Sequence, residues 1–285
     1  MYAEQHHAES TRTASAGRTF VAEPPLLHEV TGKGDPLVLM PGTLTGWVSW
    51  IAHAERLAER HVVVRAQLRN VEFAEAGKTL PPDYGIATER DGLLAMADRL
   101  TLDRFDLAGW SSGAAVSLAF ALEYPERVRT LTLIEPPALW VLRDTEYDGR
   151  FHEEEMADRK LAGKEITVDD LKAFLVRAGL GGPDTDFESH PRWQVMLRNR
   201  AALSVNAIAW DYADSIERLR ALQIPILLVR GKETSDLLGA PTTIIAATAP
   251  NATVLELPGG HACHLENPDR FLEAFEAHLA SAAGG

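Results

Sequence analysis

One pentapeptide of the chain, Gly109-Trp110-Ser111-Ser112-Gly113, has residue types and spacing suited to nucleophilic catalysis. It follows a predicted strand, Phe105 to Ala108, and opens a predicted helix from about Ser112 to Glu123. Glycines on both sides of such a turn let strand and helix approach closely, so that the central serine projects its hydroxyl beyond the sheet edge. The free N–H groups of the helix N-terminus lie beneath that hydroxyl. The pattern predicts Ser111 as a nucleophile, and a turn of small residues without chemistry is the alternative.

A serine hydroxyl is a poor nucleophile without a base, and His261 is the best placed of the ten histidines. It follows a late predicted strand in the segment VLELPGGHACHLENPDRF, where a glycine-rich turn precedes the last predicted helix. This placement puts an imidazole at the C-terminal edge of the sheet. A loop histidine that caps the final helix is the alternative, and His264 is expected to fill such a structural role through hydrogen bonds within the loop.

Strands and helices alternate through most of the chain, which brings these residues to one sheet edge. Apolar strands are predicted at Leu26 to Val30, Leu37 to Met40, His61 to Val64, Phe105 to Ala108, Val128 to Ile134, Ile224 to Val229 and Thr253 to Leu257. Helices are predicted near Trp47 to Glu59, Ala87 to Leu100, Ser112 to Glu123, Gly239 to Ala247 and Pro268 to Leu279. Continuous apolar strands separated by helices predict an α/β fold with a doubly wound, mostly parallel sheet.

The alternation stops between Pro136 and about Arg220, where helical patterns occur without a convincing strand. Helices are predicted there around Arg150 to Leu161, Val168 to Ala178 and Pro191 to Leu219. We expect an α/β core of residues 18–137 and 216–285, an inserted all-helical cap of residues 138–215, and a disordered tail at 1–17. Ligands bind at the C-terminal edge of open α/β sheets, so such a cap is expected to cover the site. A separate helical domain with no role there is the alternative.

Composition narrows the classes of partner. The net charge of −13, from 28 basic and 41 acidic residues, argues against a nucleic acid or an anionic membrane as partner. No apolar stretch is long enough to span a membrane, and the N-terminal segment lacks the apolar core of a signal peptide, so a cytoplasmic protein is expected.

The single cysteine, Cys263, excludes an internal disulfide and is expected to be a small apolar filler. No metal-spaced cluster or phosphate loop occurs, so neither metal nor cofactor is expected, and the oligomeric state is not predicted.

Three motifs, in this order, resemble an α/β-hydrolase fold enzyme with a helical cap, over about Phe20 to Leu279. PLVLMPGTLTGW resembles the oxyanion loop of that family, with Pro41 in place of the usual histidine before Gly42. GWSSG matches the nucleophile elbow, and PGGHACHLENPDRF matches the histidine loop. Serine at the elbow argues against dehalogenase or epoxide hydrolase chemistry, which uses aspartate there. The resemblance implies that the backbone N–H groups of Thr43 and Ser112 form the oxyanion hole.

The acid departs from the common pattern of the family. Most members carry an aspartate in a G-x-x-D spacing after the strand seen here as Ile224 to Val229, but Thr234 occupies that position. Glu135 instead follows a run of apolar residues directly, where a carboxylate is costly unless it has a partner such as an imidazolium. Some branches carry the acid there, and the zearalenone-lactonase branch looks most similar, with an SSG elbow, a YPERVR segment and a glutamate before proline. Glu135 is the preferred acid; Asp236 or Glu233, and a purely structural Glu135, remain open.

All six tryptophans belong to elements expected at the C-terminal edge of the sheet. Large aromatic side chains also dominate ordinary cores, so most of the six can be packing residues. Trp110, Trp140 and Trp210 are the residues expected to line a substrate pocket. An apolar pocket with a few polar groups suits a hydrophobic small molecule and favours an ester or lactone over a charged peptide.

The leading hypothesis is a serine hydrolase that cleaves a carboxylic ester or lactone of a hydrophobic small molecule through an acyl-enzyme. Ser111 would attack, His261 would accept its proton, and Glu135 would orient His261. The same three residues serve two alternatives: carbon–carbon bond hydrolysis, and acyl transfer with water excluded. A third alternative is a non-catalytic small-molecule-binding protein on a hydrolase fold, because fold alone does not establish activity.

Overall fold

The structure is a computed structural model that describes residues 24–281, so the tail expected at 1–17 lies outside the described residues. The strands are β1 (His28–Gly32), β2 (Asp35–Met40), β3 (His61–Ala66), β4 (Phe105–Trp110), β5 (Val128–Ile134), β6 (Ile226–Gly231) and β7 (Ala252–Leu257). The α-helices are α1 (Ile51–Leu57), α2 (Arg69–Glu75), α3 (Ile86–Arg99), α4 (Ser112–Glu123), α5 (His152–Arg159), α6 (Val168–Arg177), α7 (Trp193–Arg198), α8 (Ile208–Asp211), α9 (Ile216–Ala221), α10 (Asp236–Thr248), α11 (Cys263–Glu266) and α12 (Pro268–Ser281). Short 3-10 helices lie at Gly46–Trp50, Pro125–Arg127, Leu139–Leu142, Phe187–Ser189 and Arg200–Val205.

The strands form one sheet in the order β1-β3-β2-β4-β5-β6-β7. β1 pairs antiparallel with β3, and the other neighbouring pairs are parallel. The parallel strands end at the same edge, so the residues that follow β2, β4, β5 and β6 come together there. The predicted α/β class with a mostly parallel sheet is confirmed.

Helices cover both faces of the sheet. One face packs against α3 and α4, and the Ala-rich α4 is buried from Gly113 to Leu122. The other face packs against α1 and α12 around Trp50 and Phe271. The central strand β4 is buried throughout its length and is apolar except for Asp106, which pairs with Arg129. This strand and β5 carry Ser111 and Glu135 immediately beyond their C-terminal ends.

Residues 138–215, here called the insertion, contain helices and no strand. The single helix predicted over Pro191 to Leu219 is wrong, because the segment is broken into α7, the 3-10 helix Arg200–Val205, α8 and the start of α9. At the first break, the buried amide of Asn199 donates to the carbonyl of Leu44 at 3.0 Å. At the last break, the hydroxyl of Ser215 accepts the N–H of Glu217 at 3.1 Å and begins α9. Tertiary contacts and capping therefore divide a segment whose apolar pattern looks continuous.

Smaller differences from the predicted elements occur beside the sheet edge. The helix predicted from Trp47 begins as the 3-10 helix Gly46–Trp50 before α1, and the short helices α2 and α11 were not predicted. Within residues 24–281, no helix is both long and apolar enough to cross a lipid bilayer.

Candidate active site

Ser111 occupies a strained turn between β4 and α4. Its backbone angles are φ 55° and ψ −126°, a region that a residue with a side chain adopts only when its surroundings enforce it. Its N–H donates to the carbonyl of Ile134 at 2.9 Å, and its carbonyl accepts the N–H of Ala114 at 2.8 Å. A Cβ at Gly109 would lie 2.4 Å from the carbonyl oxygen of Gly113, so the close approach of strand and helix requires glycine.

Thr43 and Ser112 meet beside Ser111. Their hydroxyl oxygens are 2.6 Å apart, which is a hydrogen bond between the loop after β2 and the first turn of α4. Ser112 is the first residue of α4, so its N–H has no partner within the helix. The N–H of Thr43 donates to no acceptor among residues 24–281. Two free N–H groups next to a nucleophile are the donors that an oxyanion requires.

His261 and Glu135 are hydrogen-bonded, with 2.7 Å between Nδ1 and Oε2. Both side chains are buried, and Glu135 has a left-handed backbone conformation with φ 46°. The carboxylate also accepts the N–H of Gly231 at 2.7 Å and the hydroxyl of Thr234 at 2.7 Å. Burial raises the pKa of Glu135, but the bond and charge of His261, together with the other two donors, outweigh burial and lower the pKa below its ordinary value.

The other candidate acids have different partners. Asp236 is exposed and pairs with Arg150 at 2.7 Å on the surface. Glu233 accepts the N–H of Gly259 in the histidine loop. Thr234 stands where the resemblance places an aspartate, and its hydroxyl instead supports the carboxylate of Glu135. The structure thus brings Glu135 to His261, while Glu233 and Asp236 bind elsewhere.

A buried aromatic cluster supports the histidine loop from behind. The indole N–H of Trp110 donates to the carbonyl of His261 at 2.9 Å, and the ring of His264 lies 5.0 Å from that of Trp110. The expected side-chain hydrogen bonds of His264 within its loop are absent, since neither ring nitrogen has a partner among the described residues. Burial lowers the pKa of His264 well below its ordinary value, so the ring is neutral. Cys263 beside it is buried, and burial raises its pKa to about 12, as fits an apolar filler.

The insertion contacts the histidine loop directly. The N–H of His261 donates to the carbonyl of Gly179, in the turn after α6, at 3.1 Å. A Cβ at Gly260 would lie 2.3 Å from that same carbonyl oxygen. Only glycine at position 260 therefore lets the two segments approach this closely.

Two cavities meet at Ser111 and His261, and both are also lined by Thr43 and Phe174. The large chamber has a volume of about 370 Å³ and a mainly apolar lining, which includes Leu175, Leu180, Phe187 and Met196. The small chamber has a volume of about 60 Å³ and is lined by Asn70, Asp158, Arg177 and Trp210 among others. A substrate carbonyl at Ser111 can therefore extend into two spaces of different size, each with a mainly apolar lining.

The three tryptophans expected in the pocket have different positions. Trp110 lines the large chamber, and Trp210 lines the small chamber. Trp140 packs in the core and lines neither chamber, which corrects the expectation for it. It lies in the 3-10 helix Leu139–Leu142, all four residues of which are buried.

Three polar residues of the small chamber were missed from the sequence. Asn70 lies on α2, four positions after β3, so its closeness to a strand end is the one signal in the sequence that points to this edge. Asp158 and Arg177 lie on α5 and α6, and no pattern in the sequence links them to the site. Across the described residues, no group of three or more His, Cys, Asp or Glu side chains is placed to hold a metal ion.

Comparisons with known proteins agree with this geometry. The family described as alpha/beta hydrolase fold matches residues 35–268. A 2-hydroxy-6-oxo-2,4-heptadienoate hydrolase of Pseudomonas putida is 36% identical over 111 residues, which are 38% of this chain and 39% of that protein. RutD of Azorhizobium caulinodans, whose name assigns it to carbamate hydrolysis, is 27% identical over 259 residues, 87% of this chain and 92% of that protein. A thermophilic esterase from Thermogutta terrifontis has the same fold, with a TM-score of 0.72, 22% identity and coverage of 97% of this chain and 99% of that one.

Proposed function

The chain belongs to the alpha/beta hydrolase fold family, and from this premise we propose that this hydrolase cleaves a carboxylic ester or lactone of a hydrophobic small molecule through an acyl-enzyme. One observation carries the proposal. The bond between Glu135 and His261 holds the imidazole with Nδ1 as donor, while Ser111 and His261 line both chambers. This leaves Nε2 of His261 as the acceptor for the Ser111 proton.

The proposed reaction proceeds in two halves. Nε2 of His261 accepts the proton as Oγ of Ser111 bonds to the substrate carbonyl carbon, and the carbonyl oxygen takes the electron pair. The N–H groups of Thr43 and Ser112 stabilise this oxyanion. The bond from carbon to the leaving oxygen then breaks, and the leaving alcohol receives the proton from His261. Water repeats these steps on the acyl-enzyme, giving up one proton to His261, which returns it to Ser111. Glu135 stabilises the imidazolium in each half.

The large chamber supports the choice of substrate. Its apolar lining suits a hydrophobic group, with the ring of Trp110 beside the nucleophile. In a lactone the leaving alcohol stays attached to the acyl group, so both ends of the product must fit at once. Two adjoining chambers provide space on both sides of the scissile bond.

Hydrolysis of a different type of bond, carbon–carbon or carbamate, is the second candidate function. The names of two relatives, a 2-hydroxy-6-oxo-2,4-heptadienoate hydrolase and RutD, point to carbon–carbon bond and carbamate hydrolysis respectively. The first match covers only 39% of that relative, and the second is 27% identical, so neither transfers its substrate to this chain. Acyl transfer differs from these hydrolyses only in what accepts the acyl group, an alcohol instead of water. Product analysis with and without an added alcohol separates transfer from hydrolysis.

A fluorophosphonate probe read by intact mass tests the nucleophile. The wild-type protein should gain one phosphonyl group, Ser111→Ala should gain none, and Ser112→Ala should still be labelled as the matched neighbour. Unlabelled wild-type protein is then assayed against an ester, a lactone, a carbamate and a carbon–carbon substrate of similar size, with the labelled protein as the inactive control. Labelling that persists in Ser111→Ala contradicts the mechanism, and turnover of the carbon–carbon substrate alone contradicts the choice of bond. Binding of the esters without turnover or labelling favours the non-catalytic alternative.

A further inference from the structure

A charged unit from three helices of the insertion forms one wall of the small chamber. Oδ1 of Asp158 on α5 accepts Nη2 of Arg177 on α6 at 2.9 Å. Oδ2 of Asp158 accepts the indole N–H of Trp210 on α8 at 3.0 Å. The Asp158 side chain is 10% exposed, so it lies in the wall rather than in solvent. Because Arg177 and Asp158 neutralise each other, this wall offers hydrogen-bonding groups without a net charge.

Asn70 lines the same chamber, and its side-chain acceptor has no hydrogen-bond partner among the described residues. Its side chain comes from α2 in the core, and the residue is 3% exposed. The amide nitrogen points toward the carbonyl oxygen of Ala202 at 3.5 Å, while Oδ1 has no partner in the described part of the chain. A buried acceptor without a donor costs free energy, and a ligand that supplies the donor recovers it.

We propose that the small chamber is the subsite for a hydroxyl group of the substrate, which donates to Oδ1 of Asn70 and faces the carboxylate of Asp158. The inference rests on the proposed function, since the carbonyl under attack must sit at Ser111 between the two chambers. A substrate hydroxyl suits this wall better than a carboxylate, because Oδ1 of Asn70 and the carboxylate of Asp158 are both acceptors. The substrate is therefore an ester or lactone with a large apolar part and a short hydroxylated part.

The size of the small chamber limits the hydroxylated part. A volume of about 60 Å³ is several times the 10–15 Å³ or so that one water molecule needs. This space accepts a short chain that carries a hydroxyl, and the large chamber of about 370 Å³ accepts the apolar part.

Two pairs of esters test the subsite from either side of the scissile bond. The first pair is benzyl 3-hydroxybutanoate and benzyl 3-methylbutanoate, and the second is 2-hydroxyethyl phenylacetate and propyl phenylacetate. In one of the two pairs, the wild-type kcat/KM should favour the hydroxylated ester about tenfold over the ester with methyl in place of hydroxyl. Asn70→Leu keeps the approximate size but removes the acceptor, so this ratio should fall to within about twofold of one. The surface variant Asn251→Leu is the matched control and should keep the wild-type ratio.

Binding to Ser111→Ala separates failure of the subsite from failure of the proposed function. Calorimetric titration of the same four compounds should give the same preference of about tenfold, lost when Asn70→Leu is added. Equal affinity within both pairs, or no binding of any compound, overturns the subsite whatever bond the enzyme cleaves. A preference that survives Asn70→Leu also overturns it. Hydroxyl-dependent binding with no ester turnover in the wild type supports the subsite and overturns the ester as substrate. Thermal unfolding of Asn70→Leu confirms that the variant is folded.

Discussion

Replacing Glu135 with glutamine removes the charge of the candidate acid while keeping its shape. The carboxylate accepts three donors, and the N–H of Gly231 cannot reverse its direction. The single oxygen of a glutamine must therefore face Gly231, which turns its NH₂ group toward Thr234 and His261. The hydroxyl of Thr234 can rotate and accept, but Nδ1 of His261 can accept only by giving up its proton. The proton then resides on Nε2, which no longer accepts from Ser111.

The expected loss follows from this change of tautomer. The same acid-to-amide replacement in a serine protease lowers kcat by about 10⁴, which corresponds to about 5 kcal/mol of activation free energy. We expect Glu135→Gln to lower kcat by about 10³ to 10⁴ with KM nearly unchanged, because the substrate contacts are kept. Steady-state hydrolysis of a chromogenic ester measures both constants, and circular dichroism checks that the variant is folded.

Two neighbouring carboxylates serve as controls. Glu233→Gln removes a charge but keeps an oxygen that can accept the N–H of Gly259, and Asp236→Asn removes the charge of a surface partner of Arg150. Each should therefore change kcat by less than about threefold. A loss below tenfold for Glu135→Gln, or a larger loss for Asp236→Asn than for Glu135→Gln, would refute the assignment of the acid.

Three further results are expected. Thr234→Val removes one donor to the Glu135 carboxylate, so the pKa of Glu135 should rise and the free energy of unfolding at pH 7 should fall by about 1.5 to 3 kcal/mol. Urea unfolding measures this, with the surface variant Thr243→Val as the control. A urea midpoint unchanged by Thr234→Val would contradict the prediction. Burial lowers the pKa of His53 to about 4, so on acidification the unfolded state binds this proton before the folded state does. The free energy of unfolding should therefore fall from about pH 6.5 down to pH 4, by about 2 kcal/mol between pH 7 and pH 4.5. His53→Phe should lose this part of the pH dependence, whereas the exposed His152→Gln should keep it. Gly109→Ala places a Cβ 2.4 Å from a carbonyl oxygen and should lower the free energy of unfolding by at least about 1 to 3 kcal/mol, measured by thermal unfolding. At Gly182 an added Cβ meets no atom within 4 Å, so Gly182→Ala should leave stability unchanged. Equal effects of the two replacements would show that the turn at Ser111 is not constrained.

The sequence was informative where a local pattern dictates a local shape. A buried strand, a small-residue turn and an Ala-rich helix define the position of Ser111 without knowledge of distant contacts. Glu135 was detectable for the same reason, since a carboxylate at the end of a buried apolar strand needs a partner. The structure brings Ser111, Glu135 and His261 to one edge because the ends of parallel strands coincide there.

Long-range contacts were not readable in the same way. The hydroxyl of Thr234 supports Glu135 across 99 positions of sequence, and Asp158 joins Trp210 across 52. No periodic pattern of residues in the sequence indicates which distant residues form such pairs. The break at Asn199 depends on a carbonyl 155 positions away, and this is why the insertion was predicted with too long a helix.

The bond from the N–H of His261 to the carbonyl of Gly179 bears on how substrate enters. Any movement that lifts the turn after α6 away from the sheet breaks a backbone hydrogen bond of the residue proposed as the base. Opening by that route therefore costs the histidine loop one backbone hydrogen bond, while the imidazole of His261 is held separately by Glu135. The same bond favours the arrangement in which the turn after α6 lies against the histidine loop over one in which the turn is lifted.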